Sequence, residues 1–234
     1  MLSIDDNAKT VKGQQYGYMT GVLYLSPYTK SGHNVCALAA KARCHYGCLD
    51  EAGRGALQST QDSRLRKTAL FFSDRDQFMD LLVRDIFRLQ RMAEARGLIP
   101  VCRPNGTSDI KWENVDFSFG GHHYTNIFEM FPFLRFYDYT KTPGRNRDIH
   151  NYDLTFSYSG APEFQPYVRE AKDRGDRIAV VFRSRNEIPD TFLGMECIDG
   201  DDSDLRFLEP QGVVVALYAK GKARLDTSGF VVGV

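Results

Sequence analysis

Apolar positions along the chain recur with two periods, and the switches between them outline a fold. Residues 18–25 are β-branched, aromatic and apolar and end at Ser26-Pro27, which predicts a first strand after a polar, irregular lead-in over residues 1–17. Two helices are predicted next. The first covers residues 60–71, with Leu65, Ala69 and Leu70 on one side. In the second, Phe78, Leu81, Leu82, Ile86, Leu89, Met92 and Ala93 fall at helical spacing, opposite Asp80, Arg84, Arg88, Arg91 and Glu94. Ser73 with Asp76 gives it a weak capping box, and Gly97 stops it. Short apolar runs then alternate with polar ones. Strands are predicted at residues 98–102, 131–137, 153–158 and 177–182, a short helix at 166–175, and two late strands at 195–198 and 213–219.

Apolar strands alternating with helices imply βα units and a parallel sheet. The expected fold is α/β, an open or partial barrel of mainly parallel strands with outer helices. Neither a repeat nor a linker divides the sequence, so one domain over residues 1–234 is expected. Parallel sheets collect ligands at the carboxyl ends of their strands, and here each predicted strand end runs into a dense polar segment.

Composition narrows the function classes. With 30 basic and 30 acidic residues the formal net charge is zero, which argues against coating nucleic acid through global charge. Five cysteines, an odd number, do not read as a disulfide framework. The start, Met1-Leu2-Ser3-Ile4-Asp5-Asp6, lacks the basic and apolar regions of a signal peptide, and the apolar runs have strand length, so no membrane partner and a reducing cytoplasm are expected.

Three of the cysteines change the picture most. Cys36, Cys44 and Cys48 lie within thirteen residues, spaced Cys-x7-Cys-x3-Cys, on a loop at about residues 30–55 that follows the first strand. Thiolate is a soft ligand that suits iron–sulfur clusters, zinc and copper(I). The spacing matches neither a paired zinc knuckle nor a ferredoxin run. Three thiolates on a cubane leave one iron with an open coordination position. A three-cysteine loop after the first strand of a parallel barrel resembles the layout of radical S-adenosylmethionine enzymes, with longer spacing than their usual Cys-x3-Cys-x2-Cys. The competing readings are a zinc site completed by His45 or His33, and unligated core cysteines. Cys102 and Cys197 fall inside predicted strands and read as small buried apolar residues.

Other groups carry weaker signals. Residues 105–109, Asn-Gly-Thr-Ser-Asp, form a tight turn that is either a polar-ligand site or a cap. Asp199, Asp201, Asp202 and Asp204 form the densest acidic run, but the EF-hand template fails, and a solvated turn is the plainer reading. His122-His123 after Gly120-Gly121 could place one imidazole at a site. No dinucleotide-binding, Walker, zinc-protease or nucleophile-elbow signature is present.

The run Asn105-Gly106-Thr107-Ser108-Asp109-Ile110 before Trp112-Glu113, the segments Tyr137-Asp138-Tyr139-Thr140-Lys141, Leu154-Thr155-Phe156-Ser157, Ile198-Asp199-Gly200-Asp201 and Ala219-Lys220-Gly221, and the loop end Ala52-Gly53-Arg54-Gly55 together resemble the bacteriophage gene product eighty-eight family over nearly the whole chain. The resemblance implies a phage origin and action in the cytoplasm of an infected bacterium. It brings no reaction with it, and its cysteine loop corresponds to Cys36, Cys44 and Cys48.

The expected site is therefore an iron–sulfur cluster, 4Fe–4S, on Cys36, Cys44 and Cys48. Asn105, Ser108, Asp109, Asp138, Lys141, Ser157, Asp199, Asp201 and Lys220 stand around it as ligand-binding candidates. The expected function is that of a redox or radical enzyme with S-adenosylmethionine or another small molecule at the open iron. The alternative is a non-enzymatic module, stabilised by zinc or a cluster, that binds a host protein or nucleic acid.

Overall fold

The computed structural model describes residues 1–5, 8–48, 53–145 and 148–233. The lead-in is partly regular: strand β1 (Leu2–Ile4) precedes helix α1 (Ala8–Lys12). Strand β2 (Tyr18–Leu23) is followed by the cysteine loop with its single-turn helix α2 (Ala39–Ala42). Helices α3 (Gln58–Ser73) and α4 (Arg75–Glu94) lead to β3 (Ile99–Arg103). A small hairpin, β4 (Phe117–Phe119) and β5 (His122–Tyr124), and helix α5 (Ile127–Met130) come next. Strands β6 (Arg135–Thr140) and β7 (Tyr152–Ser157), helix α6 (Gln165–Asp173) and β8 (Ile178–Phe182) follow. Strands β9 (Thr191–Phe192), β10 (Met195–Asp199) and β11 (Val214–Tyr218) complete the order.

Among the described residues, nine strands make one sheet in the order β1-β2-β3-β6-β7-β8-β11-β10-β9. Every pairing from β2 to β10 is parallel; only the edge pairs β1–β2 and β9–β10 are antiparallel. The sheet is open, with β1 and β9 at its two edges, and no closed barrel forms. The strands expected at 98–102, 153–158 and 177–182 lie side by side with β6 in the parallel array, as expected.

Side chains alternate across the sheet. Met19, Cys102, Phe136 and Tyr152 pack on the face covered by α4, through Phe78, Met79, Leu82, Val83, Ile86 and Leu89. Further along the same face, Phe156, Ile178, Val180 and Val214 pack against Phe164 and Val168 at α6. The opposite face carries Tyr18, Val101 and Tyr137 against Leu205 and Phe207. Strands that follow one another in space and in sequence keep their crossovers on one face, which leaves the other face free for a cavity.

Three local expectations are corrected. Asp74, not Ser73, caps α4, with its carboxylate accepting from Gln77 N at 2.9 Å, while Ser73 ends α3. The strand expected at residues 131–137 begins at Arg135, because Asn126 caps a short helix ahead of it. The buried residues of α3 are Arg64, Thr68 and Phe71, whereas Leu65 is exposed. A polar buried face escapes any reading based on apolar period. Thr68 is fixed there by accepting from Ser26 N at 2.8 Å and donating to Arg64 O at 2.8 Å.

Candidate functional site

The cysteine loop is stitched to the carboxyl ends of the strands. Asp109 N, after β3, donates to Val35 O at 2.8 Å, and Asn34 Oδ1 accepts from Cys36 N at 2.9 Å. Cys36 Sγ lies 3.7 Å from Thr107 O. Ser159 Oγ, after β7, donates to Ala42 O at 2.7 Å. Arg43 takes up a left-handed φ of 54°, turning the chain from α2 into the single turn Cys44–Gly47. Its guanidinium meets Glu163 at 2.8 Å. The turn packs against the segment Gly221–Leu225 beyond β11. Residues 49–52, where the expected loop continues toward Ala52, lie outside the described residues.

Beneath the loop is a cavity of about 380 Å³. Cys36, Cys44 and Cys48 line it together with Asn105, Ser108, Asp109, Lys141, Ser157, Asp201 and Lys220. These residues come from the ends of β3, β6, β7, β10 and β11. Asp138 and Asp199 are not in the wall: Asp138 is fully buried beside Asn105, and Asp199 pairs with Arg185 on the exterior at 2.8 Å.

Burial pushes the Cys36 thiol up to about 12, against a lowering backbone hydrogen bond at Tyr28, and neighbouring Asp109, Cys44 and Cys48 add to the rise. Burial raises the Cys44 thiol too, against the lowering effect of Lys141. The Lys141 ammonium is itself buried, donates to Ser157 O at 3.0 Å and Tyr158 O at 2.8 Å, and lies 4.6 Å from the Phe230 ring. Burial lowers its pKa, and Cys44, Asp109 and Cys36 oppose that shift. One buried cation thus faces the thiols. Across the cavity Asp201 and Lys220 form an ion pair.

The family model described as Gene product 88 matches residues 1–233. The chain belongs to the gene product 88 family. No curated protein and no solved structure matches it.

In this gene product 88 chain, several expected site residues hold the walls of the cavity. Asn105 Oδ1 accepts from Ser108 Oγ at 2.8 Å, Ile110 N at 2.9 Å and Trp112 Nε1 at 3.1 Å. Its own amide donates to Ile110 O and Asp138 Oδ2, both at 3.0 Å. Asp138 also accepts from Asn105 N at 2.8 Å and Tyr152 Oη at 2.8 Å, and burial still lifts its pKa to about 7. Asp109 is held by Arg145 at 2.9 Å and Lys141 N at 2.8 Å. Asn105 and Asp109 therefore line the cavity with side chains already engaged in fixing the loop.

Sequence reasoning missed Arg145, Arg103 and Asp204. Arg145 ties Asp109 to Glu113, with Glu113 Oε2 at 2.6 Å. Arg103 joins Asp204 at 2.8 Å in the cavity wall and approaches Asp138 at 4.0 Å. The polar run after β3 and the acidic run 199–204 were the available signals for this pair; Arg145 carried none. Within the acidic run Asp201 and Asp204 face inward and are held by Lys220 and Arg103, whereas Asp199 and Asp202 are exposed.

The donor set fits a thiolate-ligated cluster in part. Three thiols share one wall, as a cubane corner set requires. Among the described residues no group of three His, Cys, Asp or Glu side chains is arranged around one ion. A cubane binds each thiolate to a different iron, so its sulfurs need not converge on a point. His33 stacks on Phe72 with ring centroids 4.0 Å apart, and His45 Nδ1 lies 3.1 Å from Ala39 O; neither lines the cavity. His122 and His123 sit exposed on the β4–β5 hairpin. Cys102 is buried under α4 and Cys197 lies half-buried against the α6 cluster, both outside the cavity. No helix among the described residues is long and apolar enough to cross a membrane.

Proposed function

We propose that this chain is a phage iron–sulfur protein, acting in the host cytoplasm, with a 4Fe–4S cluster on Cys36, Cys44 and Cys48. The cluster would stand at the strand ends of a partial α/β barrel, and its open iron would take a small molecule such as S-adenosylmethionine. The observation that carries the reading is the meeting of all three thiols with five strand ends around one cavity of about 380 Å³, the size of a small-molecule site. The order β2-β3-β6-β7-β8-β11 supports it, because parallel strands laid down in sequence form the wall of a barrel.

When bound, a cluster with one open iron supplies one-electron chemistry to a ligand held there. The chain's own residues do the rest. Lys141, held by two carbonyls, places a positive charge near thiolates that a buried site would otherwise disfavour. Asp201 and Lys220 offer opposite charges side by side, suited to the ammonium and carboxylate of an amino-acid moiety. Leu38, Ala39, Val181, Leu217 and Phe230 give the same cavity apolar walls that limit water. The positions of His33 and His45 outside the wall favour this reading over zinc with a histidine fourth ligand.

Electron paramagnetic resonance of anaerobically prepared, reduced protein tests the proposal. S-adenosylmethionine should change the cluster signal. An unchanged signal at saturating ligand would remove that cofactor. A colourless protein holding one tight zinc would replace the redox reading by the second one, a non-enzymatic module that binds a host protein or nucleic acid.

A further inference from the structure

The rim of the cysteine cavity carries an exposed ring on a basic surface. Tyr46 is 65% exposed and ends a short stack of rings: Tyr28 and His45 have centroids 5.0 Å apart, His45 and Tyr46 4.1 Å. Its neighbour Gly47 lies against Ala223, where an added Cβ would stand 3.5 Å from Ala223 Cα, and both residues line the cavity. Two residues beyond Ala223, Leu225 is 84% exposed. Large apolar residues in water are ordinary when scattered and informative when they gather at a cavity mouth.

The charge around them has one sign. Residues 27–48 and 210–225 contain no acidic residue. Lys41 donates to Tyr167 Oη at 3.0 Å, Arg224 Nε to Ala219 O at 3.4 Å, and Arg183 to the carbonyls of Arg224 and Asp226 at 3.0 and 2.6 Å. These acceptors are neutral, so the three positive charges remain. The nearby carboxylates are engaged elsewhere: Glu163 with Arg43, Asp201 with Lys220, and buried Asp226 with Ser228 Oγ and Val231 N. Asp50 and Glu51 lie outside the described residues. The chain as a whole has no net charge, so the basic rim is a local arrangement. Below it, the cavity wall presents the rings of Tyr139, Tyr218 and Phe230.

Rings with a solvated face among cations suit a polyanion that carries unpaired planar bases. An acidic peptide would answer the charge and leave the rings unused, and a duplex keeps its bases stacked inside. We propose that the rim binds single-stranded nucleic acid, with one base stacked on Tyr46 and adjoining phosphates on Lys41 and Arg224. The strand then presents a base to the cavity. This names the substrate class of the site; it rests on the proposed function for the chemistry in the cavity, whereas binding at the rim needs no iron.

Fluorescence anisotropy of a short labelled oligothymidylate, titrated with the full chain in its anaerobically prepared and its metal-free forms, tests it. Saturable, salt-dependent binding is expected, weaker for a duplex of the same length. Tyr46→Ala should weaken it about tenfold, and Tyr46→Phe, which keeps the ring, should not. Lys41→Gln with Arg224→Gln should lower the slope of log affinity against log salt by about 1.4, the share of two phosphate contacts on a single strand. Arg91→Gln, on the exposed face of α4, should leave binding unchanged. Circular dichroism separates lost binding from lost folding. No binding by either form, a duplex held as tightly as the single strand, or folded Tyr46→Ala that binds like wild type would overturn the proposal. Polyglutamate that displaces the strand as well as unlabelled strand does would overturn it too, and make the rim a dock for an acidic protein. Strand binding by a chain that takes up no iron would keep this inference and remove the cluster; iron and sulfide without strand binding would do the reverse.

Discussion

Replacing Asn105 by Ala should cripple the wall of the cysteine cavity from within. The residue is 2% exposed, and its Oδ1 accepts from Ser108 Oγ, Ile110 N and Trp112 Nε1. Truncation removes that acceptor while the donors stay where they are. Trp112 is fully buried, so its indole N–H cannot turn to water. Each buried donor left unsatisfied costs about 1–3 kcal/mol, and Asp138 loses the Asn105 Nδ2 donor as well. Three donors at that cost sum to about 3–9 kcal/mol, a large share of the roughly 5–15 kcal/mol that holds a domain together. Urea unfolding gives the total. The local effect can be read separately, because Trp112 is the one tryptophan in the chain and its emission reports on this hydrogen bond. Asn105→Asp discriminates further: it keeps an acceptor for Trp112 but sets a second carboxylate against Asp138, so its stability deficit should shrink as pH falls. A loss below about 1 kcal/mol for Asn105→Ala, with the Trp112 emission unmoved, would refute the hub role.

Three other outcomes are expected. Alanine at Cys36, Cys44 or Cys48 should each abolish bound iron, while alanine at Cys102 or Cys197 should leave it; iron analysis of folded variants decides. Gly106→Ala should cost about 1–3 kcal/mol in unfolding experiments, because the added Cβ would stand 2.6 Å from Tyr24 Cδ1 and 2.7 Å from Val22 Cγ1. Asp138 is buried with its pKa lifted to about 7, so the folded chain keeps a proton that the unfolded chain has released. Its contribution to stability is full below about pH 4 and is lost as pH rises through about 7, so the difference between wild type and Asp138→Asn should change across that window and level off above it. A pH-independent difference would contradict the assignment.

What could be read from the sequence, and what could not, follows from the type of force involved. Helix α4 was legible because a fully apolar stripe, Phe78 to Ala93, must be buried against something. The parallel strands were legible from apolar runs that end in polar ones. The cysteine loop was legible because three thiols in thirteen residues are chemically conspicuous. Helix α3 was found but turned partly the wrong way: its buried positions are Arg64, Thr68 and Phe71, two of them polar, and of the expected stripe only Leu70 packs against the core. Strand β6 was misplaced toward the amino end because Phe131, Phe133 and Leu134 are apolar yet lie ahead of it, with Phe133 wholly exposed. Within the site, residue types were readable but their partners were not. Asn105 and Asp109 looked like ligand contacts, while long-range pairing to Trp112, Asp138 and Arg145 commits them to the scaffold. Such pairings span up to 36 residues and leave no local periodicity.

Metal and sulfide analysis of the full chain, made and kept without oxygen, tests the central claim most directly. About four iron and four acid-labile sulfide per chain are expected, with a brown colour that disappears when Cys36, Cys44 or Cys48 is replaced. One zinc and no sulfide, or a folded colourless protein that takes up no iron under reconstitution, would contradict it.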